Sequence, residues 1–271
     1  MKFDMNAAWN DTVAMLKANT DVLGIVAAVF FFLPSLALTI LAPGTELEAA
    51  AGDPDRLSEA MTAYFTASWW VLLLYGLITI VGTLAIFALF GRRSKPTVGE
   101  AISAGFRGFV PYLLSLLLVG VAIGLIAILI GVIVGLTGIA ALGVLFAIIM
   151  AIVLLVVSIR ILLTGPIIAI ENEGNPIAAL KRSWATIKGH TRRVFAFVFL
   201  LAIAITVVSL VLGFLFAGLG ALLGPTLGLW VEGLLGALLG AVTTIILLAA
   251  YTAVYRQLAG DVTRQELETF E

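Results

Sequence analysis

The stretch 109-FVPYLLSLLLVGVAIGLIAILIGVIVGLTGIAALGVLFAIIMAIVLLVVSIRILL-163 decides the fold. It runs 55 residues with one charged side chain, Arg160. A helix rising about 1.5 Å per residue crosses a hydrocarbon core of about 30 Å in about 20 residues. The block is too long for one crossing and long enough for two. It divides at 135-GLTG-138, where glycines mark a tight turn. The spans expected here are 109–135 and 137–163.

The same criterion finds four more spans, at 22–42, 68–90, 194–220 and 226–255. Pro34 is expected to kink the first. Glycines and Pro225 in 218-GLGALLGP-225 separate the last two. Between the first pair, 43-PGTELEAAAGDPDRLSEAMTAY-64 reads as a polar, acidic loop. The whole chain agrees: of 271 residues 62% are hydrophobic and 11% charged, and mean hydropathy is +1.18. A soluble domain carries roughly twice that charged fraction. There is no cysteine, which excludes disulfides, thiolate metal sites and cysteine nucleophiles, and the one histidine is His190. Residues 1–20 are polar and mixed, so no cleavable signal peptide is expected.

Basic residues orient the spans. Six crossings put both termini and the 91–108 and 164–193 segments on one side. That side holds 14 of the 15 Lys and Arg, Arg160 included. Only Arg56 lies opposite, among Glu46, Glu48, Asp53, Asp55 and Glu59. The cation-rich side is therefore read as cytoplasmic.

Three segments align: 13-VAMLKAN-19, 103-SAGFRGF-109 and 184-WATIKGH-190. Their basic residues Lys17, Arg107 and Lys188 stand 90 and 81 residues apart, each just before an apolar span. Each follows a short amphipathic run: Met5, Ala8, Trp9, Val13, Leu16; then Val98, Ile102, Phe106; then Ile177, Leu180, Trp184, Ile187. Spacings of three and four place each set on one helical face. The unit expected is an interfacial helix, a basic corner and a two-span hairpin, three times over. The fold class is an all-α integral membrane protein of six spans. It is one domain over 1–271, with repeat units at about 1–90, 91–163 and 164–260.

The most cationic stretch is 178-AALKRSWATIKGHTRRVF-195. It is the third interfacial helix with its corner. Trp184 and Ile187 are expected at the headgroup–acyl boundary, with Lys181 and Lys188 snorkelling toward phosphates. Clustered cytoplasmic cations attract anionic lipids, at about 1 kcal/mol each. The candidate headgroup contacts are Lys181, Arg182, Lys188, Arg192, Arg193, Arg107 and Lys17. Pure topology is the competing reading. A nucleic-acid arm is not expected, because the patch lies between two spans and no nucleic-acid motif accompanies it.

The stretch 160-RILLTGPIIAIENEGNPIAALKRSWATIKGH-190 combines an Arg near a span's end, a Pro, an apolar run into Glu, and Ala-Leu-Lys-Arg-Ser-Trp before Lys-Gly. It resembles the membrane domain of the glycerophosphoryl diester phosphodiesterase family and is similar to the related YciC-type inner-membrane proteins of bacteria. The resemblance is sharpest over these residues and extends loosely over the six-span layout. It implies an all-helical domain of the bacterial cytoplasmic membrane, and it places Arg160 and Glu171 in the family pattern. The soluble phosphodiesterase uses paired histidines with acidic metal ligands. One histidine and no soluble domain argue against that activity here.

A charge within the bilayer is costly and seeks a partner. For Arg160 the nearest acids in sequence are Glu171 and Glu173, so the three form a candidate clamp, lipid-headgroup site or ion site. Glu232, in 230-WVEG-233, is expected at the far surface beside the interfacial anchor Trp230. Glycine pairs at Gly120/Gly124, Gly131/Gly135, Gly220/Gly224 and Gly236/Gly240 suit close helix packing, within the chain or in a homo-oligomer. No phosphate loop, nucleophile elbow or metal-ligand cluster appears, and no cofactor or metal is expected. The function expected is that of a non-enzymatic membrane protein contacting phospholipid, in lipid handling or envelope homeostasis. The alternative is a transporter or channel, most plausibly for a hydrophobic or lipid-linked substrate, because the spans lack polar residues to line a path.

Overall fold

The structure is a computed structural model and describes residues 3–91 and 97–268. Lys2, Arg92, Arg93 and Lys95, which the charge bias counts, lie outside the described residues. Every described element is helical. They are α1 (Met5–Ala18), α2 (Thr20–Ala27), a π-helical turn (Ala28–Phe32), α3 (Leu33–Leu41), α4 (Thr45–Ala50), α5 (Pro54–Gly91) and α6 (Val98–Thr137). There follow α7 (Ala140–Arg160), α8 (Thr164–Glu171), α9 (Pro176–Ile187), α10 (Thr191–Leu223) and α11 (Pro225–Glu268).

Six helical stretches are long and apolar enough to cross a membrane: Thr20–Leu41, Pro54–Gly91, Val98–Thr137, Ala141–Glu171, Thr191–Leu223 and Leu227–Ala259. The turn between the third and fourth falls where the glycines put it. Gly138 caps α6 with φ +65°, a conformation open to glycine and costly for a side chain. Gly224 separates α10 from α11 with φ +81°. In the first span the π turn ends one residue before Leu33-Pro34, and such a turn accommodates the backbone partner that proline removes.

Two expectations change. The 43–64 segment is mostly helix, not loop. Asp53 caps α5, its Oδ1 accepting from the Asp55 and Arg56 N–H groups at 3.1 and 3.3 Å, and Pro54 opens the helix. The second interfacial helix does not exist as a separate unit. Thr97 and Glu100 form a capping box, and from there α6 runs unbroken past Arg107 into the membrane, with Pro111 inside it.

The short helices α1 and α9 each bury a pair of small residues four apart. In α1, Ala8 and Thr12 are fully buried, as are Ala179 and Ser183 in α9. The two pairs stand at equal distances before Lys17 and Lys188. Helix α1 clamps the end of α11: Asp4 N–H donates to Gln257 Oε1 (3.2 Å), and Arg256 meets Asp11 at 3.0 Å. Both described chain ends thus lie at one end of the bundle.

The packed core lies at that same end. Fully buried residues come from the end of α5 (Leu84, Ile86), from Leu163 and α8 (Ile167, Ile168), from α9 (Ile187), from the start of α10 (Val194) and from α11 (Val254). Helix α8 is the centre of it. Thr164 through Ala169 are all buried, so this piece of the expected cytoplasmic loop is core. Moving away from that end, α3, α5, α6, α7, α10 and α11 touch in that order, and α11 returns to α3. Most of α6 beyond Ser115 and most of α7 are exposed, as suits helices that face lipid. A groove between α6 and α7 is lined wholly by apolar side chains, among them Ile126, Ile130, Phe146 and Ile149.

Candidate functional site

The site begins at a break in the chain. Helix α7 stops at Arg160, three residues turn, and α8 begins. A break inside a core leaves backbone groups without partners, which is costly. One side chain on α9 repairs it. The Ser183 hydroxyl, fully buried, donates to the Arg160 carbonyl (2.8 Å) and accepts from the Leu163 N–H (3.1 Å). A hydroxyl is both donor and acceptor, so serine meets both demands at once.

The next residue engages the Arg160 side chain. Arg160 Nη1 donates to the Trp184 carbonyl (3.2 Å). Its guanidinium lies over the Trp184 ring, 5.1 Å from the centroid. Trp184 O is one of the carbonyls that the end of α9 leaves unbonded, and a cation is favourable at that end. Stacking on tryptophan adds to it. Arg160 Nε is buried and, among the described residues, has no hydrogen-bond partner.

The partners expected for Arg160 are therefore not the ones it has. Glu171 pairs with Arg182 Nη1 at 2.6 Å and accepts from the Tyr255 hydroxyl at 2.6 Å, joining α8, α9 and α11. Glu173 accepts from the Asn175 N–H (2.8 Å), and Asn175 Oδ1 caps α9. The two glutamates serve the loop and the core, away from the guanidinium.

The seven candidate headgroup cations also sort. Arg182 is committed to Glu171. Arg193 Nη1 donates to the Phe3 carbonyl at 3.4 Å. Arg107 Nε donates to the Ser103 carbonyl of its own helix, at 3.5 Å. Lys17, Lys181, Lys188 and Arg192 are exposed, and none enters an ion pair among the described residues.

Helix α9 shows two faces where the sequence suggested one apolar stripe. Ala179, Ser183 and Ile187 face the bundle, so Ile187 is core and not a headgroup-level residue. Small residues at that face let the helix seat closely. Ile177, Lys181, Trp184 and Lys188 follow the spacing of a second face. Ile177 is 52% and Trp184 43% exposed. Apolar and cationic groups thus alternate along an open stripe, and Arg160 reaches over the edge of it to Trp184.

The missed residues are Ser183, Trp184 as a guanidinium partner, and Tyr255. A serine beside the tryptophan in 178-AALKRSW-184 was the available signal for the first two. Nothing in the sequence pointed to Tyr255, which lies 84 residues from Glu171. A pocket beside His190 is lined by Gly189, Thr191, Arg192 and Arg193, with neither glutamate.

No curated protein and no solved structure matches the chain. A family model described as the membrane domain of glycerophosphoryl diester phosphodiesterase matches residues 133–271. That range starts near the end of α6 and contains the whole of the Arg160, Ser183, Trp184 and Glu171, Arg182, Tyr255 arrangement. It is the model of the membrane domain, not of the catalytic one. On that match over half of its length, the chain belongs to the glycerophosphoryl diester phosphodiesterase membrane-domain family.

Proposed function

We propose that this is a non-enzymatic multi-pass membrane protein that holds phospholipid by its phosphate at the end of the bundle where both chain ends lie, in the service of lipid handling or envelope homeostasis. One observation carries the reading. Among the described residues the Arg160 Nε is buried without an acceptor, at the edge of an open stripe carrying Lys181, Trp184 and Lys188. A buried unsatisfied donor costs about 1–3 kcal/mol. A phosphate at the edge of the stripe is attracted by both lysines, and a turn of the Arg160 side chain toward it gives Nε the acceptor it lacks. Trp9 and Trp184 are both partly exposed at this end, as interfacial anchors are.

The test is native mass spectrometry of the protein released gently from its membrane. Wild type is compared with the double variant Lys181→Gln, Lys188→Gln and with Arg160→Leu. At about 1 kcal/mol per basic residue, the double variant is expected to retain anionic phospholipid about 30-fold less than wild type. Its melting temperature should not change, because neither lysine has an ion-pair partner among the described residues. Equal and unselective lipid on all three proteins sinks the reading and leaves the cations with topology alone.

The membrane in this proposal is the bacterial cytoplasmic one, with both termini inside. The charge bias supports this. The chain has no cysteine, so single cysteines are clean reporters. Ser58→Cys, near the start of α5, is expected to react with an impermeant maleimide on intact spheroplasts, and Asn10→Cys, on α1, only after lysis. The reverse pattern overturns the orientation.

A further inference from the structure

At the other end of the bundle α3 and α11 flank an open pocket of about 440 Å³. Its walls include Leu36, Thr39, Ile40, Trp230, Glu232 and Gly233. Glu232 is half-buried. Among the described residues no hydrogen-bond donor and no cation engages its carboxylate. The neighbouring helix makes room for it: a β-carbon at Gly220 of α10 would collide with the Glu232 carboxylate. On the other side Gly233 brings α11 against Thr39 of α3, so the pocket is bounded by close helix contacts.

Depth fixes what meets this carboxylate. Trp230, 55% exposed, and the exposed Trp69 and Trp70 of α5 mark a headgroup level at this end. From Trp70 to the end of α5 at Gly91 is about 30 Å at about 1.5 Å per residue, one hydrocarbon thickness. Glu232 lies two residues inside Trp230, where headgroup meets acyl chain. An unpaired carboxylate there is costly. The surrounding surface is acidic, with Glu46, Asp53, Asp55 and Glu59 against Arg56, which is itself paired with Asp53 at 3.4 Å. The complement is a cation. A divalent metal asks for several oxygen ligands in a set geometry, and one carboxylate with threonine hydroxyls falls short of that. A primary ammonium has three N–H donors. Glu232 accepts one. Thr39 Oγ1, which donates to the Ser35 carbonyl, keeps lone pairs for another. Ile40 and Leu229, both exposed, present apolar surface toward the bilayer for acyl chains.

We infer that the α3–α11 pocket is a lipid site that takes the primary ammonium headgroup of an aminophospholipid, with Glu232 as its counter-ion. It does not depend on the phosphate site at the opposite end and stands or falls apart from it.

The test uses the full chain reconstituted in nanodiscs of equal parts phosphatidylethanolamine, phosphatidylcholine and phosphatidylglycerol, with retained lipid read by native mass spectrometry. Phosphatidylcholine matches the charge and lacks the N–H donors. Wild type is expected to retain phosphatidylethanolamine over phosphatidylcholine about tenfold. Glu232→Gln, nearly isosteric, should reduce that ratio to about one and leave phosphatidylglycerol retention unchanged. Leu36→Trp, which fills the pocket and spares the carboxylate, should reduce it likewise. If wild type shows no preference, or keeps it in both variants, the site is not an ammonium site. A preference that is lost only when the lysine stripe is neutralised overturns the proposal equally.

Discussion

Gly105→Ala is expected to destabilise the protein by about 3 kcal/mol, while Gly120→Ala leaves stability at or slightly above wild type. Both glycines lie on α6, 15 residues apart in one uninterrupted helix. A β-carbon at Gly105 would stand 2.5 Å from the Val81 carbonyl oxygen and 3.3 Å from the Ala85 nitrogen, both backbone atoms of α5. Backbone cannot rotate away as a side chain can, so the two helices must separate. They carry Leu84, Ile86, Ala101 and Ala104, all buried, and α8 packs on both. At Gly120 nothing lies within 4 Å, and alanine there brings only better helix propensity. The measurement is the detergent melting temperature of each variant beside wild type. Equal effects at the two sites would mean that the crossing of α5 and α6 at Gly105 is not close.

The same contrast bears on the glycine pairs. Gly120, Gly124, Gly135, Gly236 and Gly240 have no neighbour within 4 Å, so they do not pack helices within the chain. Gly220 of the paired set does meet a neighbouring helix, at the Glu232 side chain of α11, and Gly131 touches the Phe146 ring, while the close approaches at 82, 91, 105, 108 and 165 lie outside the set. Spacing by four is a property of the sequence. A close approach is a property of what comes opposite, and that is fixed only when distant helices meet.

What was legible follows the same division. The six spans were legible because a bilayer demands continuous apolar length, which is local. The 135-GLTG-138 turn was legible because glycine at positive φ is local too. The start of α5 was legible and overlooked: Asp53-Pro54 is a cap and first-turn signal, but acidic composition drew the reading toward loop. Helix α8 was not legible as core. Eight mostly apolar residues between a span and a charged loop read equally well as loop or helix. The missing fact was that Gly165 seats the Phe87 ring. The partner exchange at the site has the same origin. Arg160 was assigned the acids nearest in sequence, and the turn at 161–163 carries α8 away and brings α9 over it. In membranes the face that packs is often the small-residue one. For that reason Ala179 and Ser183 point inward on α9, and Trp184 is left at the surface.

The second large effect is expected at Glu171. Its carboxylate joins three helices, reaching from α8 to Arg182 of α9 and Tyr255 of α11, both at 2.6 Å. Glu171→Ala leaves a buried tyrosine hydroxyl and a guanidinium without an acceptor, and the expected loss is about 3 kcal/mol. The two arms should not weigh equally. Arg182 is 51% exposed at its side chain, so water replaces much of what Arg182→Gln removes, and about 1 kcal/mol is expected. Tyr255 is buried, but Tyr255→Phe removes donor and demand together, again about 1 kcal/mol. The three effects must then be non-additive. Glu171→Ala on the Tyr255→Phe background should cost about 1 kcal/mol less than on wild type, because the orphaned hydroxyl is already gone. A thermal-melt double-mutant cycle reads this directly. It also separates the two roles open to Arg182. As a clamp its loss lowers melting temperature and spares lipid retention. As a headgroup contact it would do the reverse, and the pairing with Glu171 would then be incidental.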